Sequence, residues 1–380
     1  MRILLVGCGG IGGVVAASLS RAGVELDIVT GNQTIRDAIV QRGLRVRDLD
    51  QQEWSAKPTR SPVVQVSELS GTYDLCLVST KTTTLDTVLT EVRPLLSPAG
   101  DVVLLQNGLP EERAEAIVGR ERVIGCVVGW GATIVEPGMS ARTSRGGLQL
   151  GRRQGKGSDQ TLTQAAELLG RAFDVRLVDD LEGVRWSKLA INCATSTLGA
   201  AGGDTLGRLL RQRFVRRLAL EVWAELCAVA RSQSVRLAKV MGTLDIERLA
   251  ISESERRQRV GSPGLFLKHS LLLGIGLKFR RMRSSMAVAI ERGRKPEIDY
   301  LNGEVVRRGE LAGIPTPVNS ALVKLIHDIV AGKARPGVNT LYDVYLRHCT
   351  PKGQGQGRPD SPTLPPPDKS ADGLTVDSRR

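Results

Sequence analysis

Five glycines fall within the seven residues Gly7-Cys8-Gly9-Gly10-Ile11-Gly12-Gly13, directly behind Arg2-Ile3-Leu4-Leu5-Val6. An amphipathic stretch over residues 14–22 follows at once. The order is apolar strand, G-x-G-x-x-G, helix, an arrangement that sets a pyrophosphate on a helix N-terminus. Gly7 serves the tight turn, Gly9 the close approach of phosphate, and Gly12 the packing of helix on strand. Glycine is common here, 42 of 380 residues, so the pattern alone is weak. Its place between a strand and a helix sets it apart from a glycine-rich turn in some other α/β protein.

At this length two domains with extras are expected. Aromatic residues are only 3% of the chain, so the cores must be built from Leu, Val, Ile and Ala. The cysteines Cys8, Cys76, Cys126, Cys193, Cys227 and Cys349 form no C-x-x-C pair, which reads as reduced core thiols of a cytoplasmic protein. His269, His327 and His348 stand in unrelated contexts, so no metal site is expected. No apolar run approaches the ~20 residues of a membrane span, and no membrane partner is expected. The N-terminus imitates a signal peptide, but the glycine turn breaks its apolar stretch. The formal charge of +13 asks for an anionic partner. Residues 256–295 hold 11 Lys or Arg against one acid, Glu291. A solvated basic face is the plain reading, a surface gathering an anionic cofactor comes second, and nucleic-acid binding ranks third.

A second strand over 26–29 ends in Thr30-Gly31-Asn32, where a dinucleotide fold meets the adenosine ribose. The missing acid favours NADP over NAD, since an acid would repel the 2′-phosphate; Arg36 lies a turn onward. Residues 44–47 read as a short strand and 48–62 as a polar loop. Buried parallel strands follow at 74–79 and 101–105, separated by a helix ending at residue 96. They deliver Lys81 and Gln106-Asn107-Gly108 at their carboxyl ends, where such folds meet ligands. Strands at 123–133, 139–142, 148–150 and 175–178, with a helix over 159–173, complete the first half. The basic glycine loop 151–157 lacks the spacing of an ATPase phosphate loop. From residue 179 apolar residues recur at helical spacing, with helices at 214–232, 284–292, 297–311 and 319–330. The fold class is thus α/β, with a Rossmann-type dinucleotide-binding domain over 1–178 and an all-α domain over 179–349. The Gly/Pro-rich tail 350–380 has little to bury and is expected to be disordered.

Lys188 and Asn192 stand four residues apart and share a helix face. Beside a nicotinamide, that pair suits carbonyl reduction: an ammonium protonates the oxygen while an amide fixes the substrate. In an arbitrary helix such a lysine would be an ordinary surface residue. Glu297 and Asp299 open a helix and can simply favour its dipole.

The chain resembles the ketopantoate reductases (2-dehydropantoate 2-reductases) from its N-terminus to about His348. The resemblance rests on residues 7–12, Ser79-Thr80-Lys81, Gln106-Asn107-Gly108, Trp186-Ser187-Lys188-Leu189-Ala190-Ile191-Asn192, and Glu297-Ile298-Asp299-Tyr300-Leu301-Asn302-Gly303. It implies NADPH-dependent reduction of a 2-oxo acid in a cleft between two domains. By the resemblance Lys188 is the general acid, and Glu297 engages that lysine and the substrate's hydroxyl end. Asn107, Asn192, Ser196 and Ser285 take substrate-binding positions. The cofactor positions are Gly7, Cys8, Gly9, Gly10, Ile11, Gly12, Thr30, Asn32, Lys81 and Asn107. Ser196 and Met282 stand where family members commonly carry asparagine, and Thr30 where arginine is frequent. The departures at Ser196 and Met282 fall on substrate positions, so they bear on substrate preference rather than on reaction type. The rivals are a paralogue acting on another 2-oxo acid and a non-catalytic NADPH- or nucleic-acid-binding protein. A homodimer fits the helical domain, although no interface pattern is legible.

Overall fold

Successive side chains of a strand point to opposite faces, so an unbroken apolar strand requires cover on both sides of its sheet. Strand β1 (Ile3–Val6) meets that condition: Ile3 and Leu5 enter one apolar cluster, Leu4 and Val6 the other. The same split recurs in β5 (Tyr73–Val78) and β6 (Leu96–Leu104). The computed structural model describes residues 1–153, 159–238, 245–257 and 262–350. Most of the loop 151–157 and all of the tail beyond Thr350, where disorder is expected, lie outside them.

With β2 (Asp27–Val29), β3 (Leu44–Arg47), β4 (Glu53–Ala56), β7 (Val123–Val128), β8 (Ala132–Glu136), β9 (Met139–Arg142), β10 (Leu148–Gly151) and β11 (Val175–Leu177), the strands form two sheets. The larger has the order β11-β10-β7-β6-β5-β1-β2, parallel except where β10 meets β7. Helices α1 (Gly10–Arg21), α2 (Gln33–Arg42), α3 (Leu85–Val92), α4 (Glu111–Val118) and α5 (Gln160–Gly170) connect its strands. Order reverses between β1 and β5, which makes their carboxyl ends the place for a ligand crevice. The smaller sheet, β4-β3-β9-β8, corrects two expectations. The polar loop 48–62 contains β4, and the strand expected over 123–133 breaks at Gly129-Trp130-Gly131 into β7 and β8. The helix expected to reach residue 96 ends at Val92, because Leu96 already pairs with Tyr73.

After β11 no strand occurs among the described residues. Helix α6 (Leu181–Gly202) starts on the Asp180 carboxylate, which accepts from Gly183 N, and stops at Gly203 in the left-handed region. Around it lie α7 (Leu206–Arg211), α8 (Arg213–Ser232), α9 (Ile246–Leu249), α10 (Glu253–Arg257), α11 (Pro263–Lys278), α12 (Ser285–Glu291), α13 (Asn302–Ala312), α14 (Pro317–Val330) and α15 (Val338–Cys349). A 3-10 turn, Ile298–Tyr300, occupies the start of the helix expected over 297–311. These helices share one large apolar core, centred on Trp186, Leu189 and Cys193 of α6. All six cysteines are free.

Candidate active site

At the glycine turn, Gly7 adopts φ +102°, and its N–H donates to Val29 O at 2.8 Å, tying the turn to β2. A side chain on Gly7 would meet Thr80 N at 2.8 Å, and one on Gly12 would meet Gly7 O at 1.8 Å. These two glycines are steric necessities. Gly9 differs: a Cβ there meets nothing within 4 Å, so the turn faces open space at the head of α1. Gly10 is needed for a neighbour the sequence did not reveal, since its Cβ would meet Ala132 O of β8 at 2.7 Å. Cys8 is buried, with its thiol pushed up to about 12 by burial, and Ile11 packs on the apolar core. Backbone, not side chain, is what this turn presents.

At the tip of β2 the Thr30 hydroxyl donates to Asn32 O at 3.0 Å and to Val63 O at 3.2 Å. The Asn32 carboxamide oxygen caps α2 by accepting from Ile35 N. Arg36 is held by Pro62 O and the Asp37 carboxylate. Thr30 and Arg36 are thus engaged within the fold, while the first turn of α2 carries no acid.

The carboxyl ends of β5 and β6 meet the segment before α13. Thr82 N donates to Glu297 Oε1 at 3.2 Å, and the Thr82 hydroxyl donates to Asn107 O at 3.2 Å. Lys81 Nζ donates to Lys295 O at 3.3 Å. Burial draws the Lys81 ammonium's pKa down, opposed by the Glu297 charge and reinforced by Arg294. Gly108, at φ +84°, allows Tyr300 O to approach where a Cβ would stand 2.7 Å away. Lys81, Asn107 and Glu297 therefore gather in one place. Thr82, which the sequence reading overlooked, links them. The buried Gln106 side chain and the Thr80 hydroxyl have no hydrogen-bond partner among the described residues.

Helix α6 is buried on most of its surface, but Lys188, Ile191, Asn192 and Thr195 form a less covered stripe. Lys188 makes no hydrogen bond or ion pair among the described residues. Burial lowers its pKa, and the Arg185 charge adds to the effect. The expected engagement of Lys188 by Glu297 is absent: the carboxylate is taken by Thr82 N instead. Arg185 is the residue that spacing did not mark. Its guanidinium pairs with Glu111 at 2.6 Å and donates to Gln106 O and Leu104 O at 2.7 and 3.0 Å. It thereby fastens α6, one turn before Lys188, to the carboxyl edge of β6. An arginine amid apolar neighbours was the available signal.

The substrate positions are divided. Ser196 lies buried on α6, and its carbonyl accepts from the Ser284 hydroxyl at 2.6 Å. Ser284 caps α12, while Ser285 beside it is exposed, as is Met282. Asn302 belongs to a buried network with Thr197, Cys193 O and Asn319. Among the described residues no cluster of His, Cys, Asp or Glu could hold a metal ion.

The arrangement offers open space over backbone at Gly9, a half-buried lysine without a partner among the described residues, and a separate cluster of Lys81, Asn107 and Glu297 at the carboxyl ends of β5 and β6. Comparison with known proteins shows the family of the chain. Residues 3–155 match the family described as "Ketopantoate reductase PanE/ApbA", and residues 180–330 match its C-terminal counterpart. The 2-dehydropantoate 2-reductase of Mesorhizobium japonicum is 28% identical over 348 residues, covering 86% of this chain and 97% of that protein. That of Pyrococcus horikoshii is 26% identical, covering 86% and 96%. A PanE/ApbA family ketopantoate reductase structure from Ralstonia eutropha superposes with a TM-score of 0.73 at 27% identity, covering 88% of this chain and 99% of that one. D-mandelate dehydrogenase, solved with NADH and anilino(oxo)acetate, reaches the same TM-score at 21% identity, with the same coverage, which speaks for the fold.

Proposed function

Since this chain belongs to the ketopantoate reductase PanE/ApbA family, we propose that it reduces 2-dehydropantoate to pantoate with NADPH in the cytoplasm, as a step toward pantothenate and coenzyme A. It is an oxidoreductase acting on CH–OH groups. The single observation that carries the finer reading is Lys188: half-buried, without a hydrogen bond or ion pair among the described residues, and held at a lowered pKa on an otherwise buried helix.

We assign residues 1–178 to the cofactor and 179–349 to the substrate. Gly7 to Gly12 would hold the dinucleotide, with Lys81 and Asn107 lining its nicotinamide end and Thr30 and Asn32 near the ribose. Open space beyond Gly9 and the unpaired polar atoms of Gln106 and Thr80 fit such a group. The absence of an acid in the first turn of α2 fits a 2′-phosphate. When bound, NADPH supplies the hydride that the keto carbon receives.

The chain's own residues do the rest. Lys188, as an ammonium, gives its proton to the keto oxygen as negative charge develops there. Asn192, one turn onward, orients the substrate through its amide, and Ser196 and Ser285 extend that surface. Glu297 takes the hydroxyl end of the substrate, exchanging its bond to Thr82 N for one from the ligand. Lys188→Ala should lower kcat by roughly 10²–10⁴ while leaving NADPH binding intact. Unchanged turnover would end the assignment.

Ser196, buried where relatives commonly place an amide, favours a second reading in which another 2-oxo acid is preferred. NADPH oxidation across a panel of 2-oxo acids, with NADH run in parallel, separates the two.

A further inference from the structure

The α11 segment is apolar on two sides. At 3.6 residues per turn, Leu265, His269, Leu272 and Gly276 share the buried side. That side packs closely on α7: a Cβ on Gly207 would meet Gly276 O at 2.7 Å, and one on Gly276 would meet Leu210 Cβ at 3.0 Å. The opposite side carries Phe266, Leu267, Leu271, Leu273 and Leu277, with Phe266 76%, Leu267 68% and Leu277 59% exposed. One exposed leucine needs no explanation, whereas Phe266, Leu273 and Leu277 on one flank and Leu267 and Leu271 on the other leave the outer half of the helix largely apolar, which marks a surface that meets something.

The charges around this row indicate the occupant. Lys278, Arg280 and Arg281 stand exposed at its C-terminal end and form no ion pair among the described residues. Arg213, whose charge reaches His269, stands exposed beside its N-terminal half. Between residues 256 and 295 the one carboxylate, Glu291, is already paired with Arg283. A second copy on this face would have to neutralise these cations, and residues 256–295 offer it only Glu291, already paired. A bilayer with anionic headgroups answers both features, since acyl chains receive the leucines and phosphates receive the cations. Crossing is not required: no helix among the described residues is long and apolar enough to span, whereas lying in the interface needs only one such face.

We propose that α11 is a membrane-surface docking element that seats its outer face in a leaflet rich in anionic phospholipid. The proposal is independent of the reaction assigned above. The full chain is tested by co-sedimentation with phosphatidylcholine vesicles, with and without phosphatidylglycerol. Binding is expected only with phosphatidylglycerol and should weaken with salt. The double substitution Leu267→Glu and Leu277→Glu should reduce partitioning roughly tenfold or more, with thermal midpoint and reductase turnover unchanged. Arg280→Glu with Arg281→Glu should weaken it independently. Absence of binding to anionic vesicles overturns the proposal. So does binding that the leucine substitutions leave untouched, because charge alone then suffices. A dimer in light scattering that the leucine substitutions dissociate gives the face to a second copy and equally overturns it.

Discussion

Gly9 and Gly12 lie three residues apart in one turn and are glycines for opposite reasons. A methyl at Gly12 would press to 1.8 Å from Gly7 O, so Gly12→Ala should destabilise the fold and lower the thermal midpoint. A methyl at Gly9 meets open space, and the local φ of −74° suits alanine. Gly9→Ala should leave the thermal midpoint in place while raising KM for NADPH. Equal losses of stability in both variants would remove Gly9 from the phosphate site. Lys188 makes a complementary prediction through pH. Its ammonium is acid-competent only below its folded pKa, which burial sets below the ordinary 10.5. Turnover should therefore fall on the alkaline side earlier than an exposed lysine would allow. Below that lowered value the buried charge opposes folding in full, and the cost vanishes as pH rises past 10.5. Lys188→Met should thus raise the thermal midpoint at neutral pH while turnover is lost. The helix face shared by Lys188 and Asn192 was legible from spacing alone. Arg185 was not, because burial of a charge depends on partners 74 residues away that no local pattern announces.

Among elements, α14 shows how a helix can begin without a local cap. Thr316 provides no side-chain bond, and the Val318 and Asn319 N–H groups donate instead to Glu225 of α8 at 2.8 and 2.9 Å. Burial raises the Glu225 pKa while these bonds, with the Asn319 amide, pull it back. Glu225→Ala would orphan buried donors worth ~1–3 kcal/mol each, so the urea midpoint should drop sharply. Glu225→Gln, which keeps one acceptor, should lose clearly less. The parallel strands and principal helices were readable because long apolar runs and 3.6-residue spacing carry strong signals. The second sheet was hidden for a physical reason. Its strands are short and half-covered, β4 is half polar and buries only Ala56, and the break between β7 and β8 rests on Gly129 and Gly131 beside an apolar Trp130.

For the molecule as a whole, residues 1–349 form one compact unit although sequence character changes at 179. The sheet and the helices meet through ion pairs: Arg185 with Glu111, both buried, and Arg308 with the exposed Glu112 at 2.7 Å. Removing one member of the first pair strands the other. Arg185→Ala should cost ~3–5 kcal/mol in denaturant unfolding, and Arg185→Met with Glu111→Leu should recover much of it. A single cooperative transition in the parent is the matching expectation for a unit joined in this way.

The Arg185–Glu111 pair also sets an order of events on the ribosome. Strands β1, β5, β6 and β7 are complete by residue 128, yet Glu111 and the carbonyls of Leu104 and Gln106 must wait for residue 185 to emerge. Until then Glu111 has no guanidinium to pair with, and the helix that will cover it has yet to arrive. The seam between sheet and helices can therefore close only after α6 has emerged, since its donor lies on that helix.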